Sequence, residues 1–149
     1  MRYLFAGRRW PTPAPAGPDT TEDLIERADG ADLGPASEAI AHAGRLAPDR
    51  AGPVLRRGLA HPNPVVRVAV AGALERQPEL AAELMARLLV DEDPGVRMWA
   101  LRTAERLRTP GLRRLIEDRA AREPLPDLAA LAHLLLGQGP QPAVVPAES

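Results

Sequence analysis

The pentapeptide Asn63-Pro64-Val65-Val66-Arg67 returns thirty residues later as Asp93-Pro94-Gly95-Val96-Arg97. Each copy places an amide or acid, good at capping a helix, before a proline, the residue favoured at the first helical position. Pro48, Pro78 and Pro110 carry related signals, with helix-compatible acids after the first two and Thr109 before the third. Together these sites predict helix starts near 48, 64, 78, 94 and 110. The register extends beyond the prolines. Ala39, Ala41 and Ala43 align with Ala69, Ala71 and Ala73, Val54-Leu55 with Leu84-Met85, and Arg57 and Leu59 with Arg87 and Leu89. In the third unit the second helix slips by two, because Pro110 follows Pro78 by thirty-two residues. A period this short, holding two helices, cannot bury its own apolar face and must stack on its neighbours.

The expected helices carry stripes suited to that burial. Val66, Val70, Ala73 and Gln77, with Leu74 beside them, recur at helical spacing, as do Val96, Ala100, Thr103 and Leu107. The second helices offer Leu80, Leu84 and Leu88, then Leu112, Ile116 and Ala120. Leu128, Leu131, Ala132 and Leu135 predict a closing helix, and Thr20-Thr21-Glu22-Asp23 a short acidic one at the other end. Pro53 falls inside an expected helix and predicts a late start or a kink there. Aromatics are only 3% of the chain, and Ala and Leu supply most of its apolar surface, which favours helices over sheet. The expected fold is all-α: a short right-handed α-solenoid of about three helix pairs with a helix near each end. Residues 20–137 would form it, between a flexible Arg-, aromatic- and Pro-rich arm (1–19) and a disordered tail (138–149).

HPNPVVRVAVAGAL and DEDPGVRMWALRTAERL resemble the first helix of HEAT-like repeats, the short bacterial type also found in phycobilin lyase subunits. The likeness covers residues 61–108 and continues in register, more weakly, over 34–60. It implies a structural role for Arg67 and Arg97, which stand at the family's Val-Arg position and would bond acids or carbonyls of neighbouring inter-helix loops. Asp91 and Asp93 are the expected partners for Arg97, and one or other of them for Arg67. The resemblance says little about activity, which must be argued from a site.

Net charge is −1, but it is unevenly spread. Residues 1–18 hold Arg2, Arg8 and Arg9 with no acid, and residues 19–32 hold six acids against Arg27. Residues 94–123 hold eight arginines against Glu105, Glu117, Asp118 and Glu123. All nineteen basic residues are Arg, which with abundant Ala, Pro and Gly reads as GC-rich codon usage rather than selection for phosphate recognition. Trp99 stands where the preceding units have Ala39 and Ala69, and it shares a helix flank with Arg102 and Arg106 at i+3 and i+7. Arg76 lies on the same flank one unit earlier. This group, Trp99, Arg102, Arg106 and Arg76, is the candidate partner-binding site; the competing expectation is a Trp that fills a gap near the irregular third unit. Tyr3, Phe5 and Trp10 in the arm, interleaved with arginines, read either as a docking segment or as a plain leader.

Catalysis finds little footing. There is no Cys, the two serines have no evident activating base, and His42, His61 and His133 lack adjacent acids. No cofactor and no metal site are expected. No apolar run reaches the roughly 20 residues of a membrane span. The expected function is a non-catalytic, cytoplasmic adaptor or regulatory subunit that binds another protein. A nucleic-acid-binding module using the Arg-rich third unit is the alternative, and a repeat-type lyase or other enzyme subunit the second alternative.

Overall fold

The computed structural model describes residues 20–137, all of whose regular structure is helical. The arm 1–19 and the tail 138–149 lie outside the described residues. Eight α-helices follow in order: α1 (Thr21–Ala28), α2 (Leu33–Ala43), α3 (Pro48–Leu59), α4 (Pro64–Ala73), α5 (Pro78–Leu88), α6 (Pro94–Leu107), α7 (Pro110–Arg122) and α8 (Pro126–Leu135). A single 3-10 turn, Leu74–Arg76, extends α4. Six of the eight helices begin on a proline, whose fixed φ suits the first turn and whose missing N–H would have had no helical partner there.

The caps match the local chemistry. Asn63 Oδ1 accepts from the Val65 amide at 2.9 Å, and Asp93 Oδ1 accepts from Gly95 and Val96 at 2.7 and 3.1 Å. Thr20 and Thr109 do the same for α1 and α7, accepting from Asp23 and Leu112. Each such cap is worth roughly 1 kcal/mol. Contrary to the expectation of a late start, α3 begins at Pro48 and continues through Pro53 to Leu59. Pro53 is exposed, so its ring meets solvent rather than the core, and its cost is the bond to the Asp49 carbonyl.

Packing advances two helices at a time. α2 lies on α4, α4 on α6 and α6 on α8; α1 lies on α3, α3 on α5 and α5 on α7. Each helix also touches the next along the chain. One apolar core runs through the set, from Leu24 and Ile40 through Leu55, Val70 and Leu84 to Leu101, Ile116 and Leu136. The stripes read from the sequence face it: Val66, Val70, Val96, Ala100, Leu84, Leu88, Leu112 and Ile116 are all buried, while Leu80, Leu107, Leu131 and Leu135 pack partly buried against it.

Two glycines let helices approach closely. A Cβ on Gly58 would stand 2.5 Å from Ile40 Cδ1 and 2.9 Å from Val70 Cγ2, and one on Gly44 would stand 3.0 Å from Ala73 Cβ. Gly72, exposed inside α4, has nothing within 4 Å of such an atom. Gly58→Ala should therefore destabilise the fold by about 1–3 kcal/mol through overpacking. Gly72→Ala should stabilise it by about 0.5–1 kcal/mol through helix propensity. Urea unfolding followed by circular dichroism distinguishes the two signs.

Candidate functional site

Two groups of side chains stand out: a buried polar chain that ties one inter-helix turn to the next, and an exposed patch around Trp99.

Arg67 leaves the first turn of α4 and is nearly buried. Its Nη1 donates to the carbonyls of His61 and Pro62 at 2.8 and 3.0 Å, in the turn that precedes its own helix. Its Nε and Nη2 donate as a fork to Asp91, at 2.8 and 3.1 Å, in the turn that precedes α6. Arg97 repeats the arrangement one unit on. Its Nη1 meets the carbonyls of Asp91 and Glu92, and its Nε and Nη2 fork onto Glu123 at 2.9 and 2.8 Å. This corrects the expectation for Arg97. Its carboxylate partner is Glu123; Asp91 offers it only a backbone carbonyl, and the Asp93 carboxylate is committed to capping α6. The physical reason is the two-residue slip, which brings Glu123, thirty-two residues after Asp91, to the matching place.

The three turn residues play one part with different chemistry. Asp91 Oδ1 accepts from the Asp93 amide at 2.9 Å, and Glu123 Oε2 accepts from the Leu125 amide at 3.1 Å. His61, one period before Asp91, accepts from the Asn63 amide through Nδ1 at 3.0 Å. The ring proton therefore sits on Nε2, which donates to the Gly30 carbonyl at 2.7 Å. Ser37 occupies the Arg67 position one period earlier, so α2 sends no guanidinium to the His61 side chain, and the imidazole bonds the preceding turn itself. At the opposite turns, buried Gln77 donates through Nε2 to the carbonyls of Gly44 and Leu46 at 3.0 and 2.7 Å. Sequence reasoning placed Gln77 in an apolar stripe and treated His61 as isolated; the thirty-residue offset from Asp91 was the signal for His61.

The Glu123 side chain is 0% exposed. Burial pushes its carboxyl up, but the Arg97 fork, the Leu125 amide and the charges of Arg97 and Arg119 outweigh this and hold it below its ordinary value. Arg119 adds an Nε–Oε1 approach of 3.4 Å and donates through Nη1 to the Leu89 carbonyl. The Asp91 fork likewise raises Arg67 despite its burial. Ion pairs on the surface, such as Arg56–Glu83 at 2.8 Å, are worth at most about 1 kcal/mol each.

The Trp99 patch is different in kind. Trp99 is 42% exposed, so it does not fill a gap in the core. Arg102, one turn along α6, and Arg76, at the end of the 3-10 turn, are exposed and have no partner among the described residues. Arg106 reaches Glu75 at 3.4 Å, which sets the Arg76 turn against the end of α6. On α4 the positions thirty before Gly95, Trp99 and Arg102 are Val65, Ala69 and Gly72, an exposed aliphatic side chain followed by two small residues. An aromatic ring beside free guanidinium groups can bind apolar, π-bearing or carboxylate groups. A groove of about 680 Å³ lies farther along, between the α6–α7 turn and the end of α8, lined by residues including Arg108, Arg113, Ile116 and Leu134. Among the described residues, no three metal-binding side chains converge.

Because Glu123 is held below its ordinary value, its stabilising effect is present above the unfolded-state pKa and is lost as pH falls through the folded one. Glu123→Gln should cost about 3–5 kcal/mol at pH 7 by leaving Arg97 buried without its counter-charge. The variant should also lose less stability than the wild type between pH 6 and pH 3. Urea titrations at several pH values check both statements.

In comparisons with known proteins, no family model, no curated protein and no solved structure matches this chain.

Proposed function

We propose that the chain is a HEAT-like, right-handed α-solenoid of about three helix pairs with an extra helix near each end, acting as a protein-interaction module. In this reading it is a non-catalytic adaptor or regulatory subunit in the cytoplasm, and it presents the outer face of α4, α6 and α8 to another protein. The two-step packing of the helices and the fork of Arg67 and Arg97 between successive turns support the repeat architecture. The observation that carries the binding role is Trp99, a large ring left 42% exposed one helical turn from Arg102, which has no partner among the described residues. A surface whose backbone is already fixed loses little ordering entropy when it binds.

The arrangement disfavours the nucleic-acid alternative. Of the eight arginines between 94 and 123, Arg97, Arg106, Arg108, Arg113, Arg119 and Arg122 are engaged by carboxylates or carbonyls of the chain. Only Arg102 and Arg114 have no partner among the described residues, too few for the phosphate neutralisation that drives such binding.

Trp99→Ala tests the reading. Truncating a binding anchor costs about 2 kcal/mol or more of affinity, whereas an exposed substitution changes stability by only about 0.5 kcal/mol. Pull-down from native extract should therefore lose the bound protein while the thermal midpoint stays put. A large drop in midpoint, or capture that does not change, contradicts the proposal. A gel shift with nucleic acid that collapses with added salt would favour the alternative instead.

A further inference from the structure

Exposed acids without a cation partner among the described residues are densest at the α1–α2 end, although Asp49, Glu79, Glu92 and Asp127 lie outside it, as the exposed cations Arg45 and Arg87 lie outside the α6–α7 region. Residues 20–38, forming α1 and most of α2, carry Glu22, Asp23, Glu26, Asp29, Asp32 and Glu38 against Arg27 alone. All six acids are exposed. Asp29 meets Arg57 at 3.4 Å; the other five have no cation partner among the described residues. Residues 94–122 reverse the sign, with eight arginines against Glu105, Glu117 and Asp118. Exposed Arg102 and Arg114 lie there without partners among the described residues, as does Arg76 on the turn beside α6.

The fold keeps these regions apart. α1 packs only on α2 and α3, while α6 packs on α4, α5, α7 and α8, so the acidic end of a chain does not lie against its own α6. A second copy brings an acidic end free of that constraint. Its α1 is a short helix with exposed Glu22, Asp23 and Glu26 on its first turns, and α4, packed against α6, offers the small residues Ala69 and Gly72.

We infer that the face bearing Trp99, Arg102 and Arg76 on one copy docks the acidic α1–α2 end of a second copy, head to tail. The two surfaces differ, so the contact is heterologous: a pair keeps one free acidic end on one copy and one free face on the other, and growth continues unless the ring closes. The small Ala69 and Gly72 admit the incoming helix, Trp99 supplies the desolvated anchor, and the arginines set orientation and encounter rate. The inference uses the face assigned above to protein binding and names its occupant.

The test is sedimentation velocity on the full chain over a concentration series at low and high salt. Wild type should grow in mean mass with concentration at low salt and weaken about tenfold when the salt shortens the screening length severalfold. Two variants separate the surfaces: Arg76→Gln with Arg102→Gln, and Glu22→Gln with Glu26→Gln. Each alone should be monomeric. Mixed, they should form one species of two copies and no larger, because the intact acidic end of the first fits the intact face of the second. Wild type that stays monomeric at low salt overturns the inference, as does association that survives either variant or a mixture that stays monomeric. If Trp99→Ala abolishes capture of a different protein while wild type remains monomeric, the binding role of the face stands and its occupant is not a second copy. If Trp99→Ala changes neither capture nor mass, both readings fall.

Discussion

A guanidinium held between two turns is what the rest of this structure depends on. Arg67 spends one nitrogen on carbonyls of the turn before its helix and two on the carboxylate of the next turn, and Arg97 repeats the gesture. The planar fork fixes the distance and the angle between successive turns in a way that apolar contact, which has no direction, cannot. An Ala- and Leu-rich core tolerates sliding; the forks remove that freedom. Loss of one partner strands a charge out of water, so the interaction enforces its own geometry.

The forks belong to α4 and α6. Ser37 and Ala129 stand at the arginine position in α2 and α8, and the His61 imidazole takes the role of the acid, bonding the Gly30 carbonyl itself. At the other turns Gln77 performs a related task with an amide, and Thr109, thirty-two residues later, serves as a helix cap. A frame fastened at both sets of turns can leave a tryptophan exposed at the middle of a helix without collapse around it. The proposed binding role for Trp99 draws on that rigidity.

Much of the fold was legible because proline and its capping residue mark helix starts through local sterics alone. Pro48, Pro64, Pro78, Pro94 and Pro110 each open a helix, and the apolar stripes face the core as the 3.6-residue period requires. Pro53 does not delay the start of α3, since an exposed proline costs a helix one bond without ending it. Glu123 was missed as the partner of Arg97 because that pairing is set by the two-residue slip, and the nearer acids Asp91 and Asp93 drew attention. Gln77 looked like a filler in an apolar stripe; only the turn folded against it reveals its acceptors. The exposure of Trp99 was not decidable from spacing, because the position it shares with Ala39 and Ala69 is buried in α2 and half-buried in α4.

A double-mutant cycle on Arg67 and Asp91, using Arg67→Met and Asp91→Leu with urea unfolding, measures the coupling between neighbouring turns directly. The account predicts an interaction of about 2 kcal/mol, well above what the exposed Arg56–Glu83 pair gives in the same experiment. Additive effects, with a coupling no larger than that of the surface pair, would show that the apolar core alone sets the stacking.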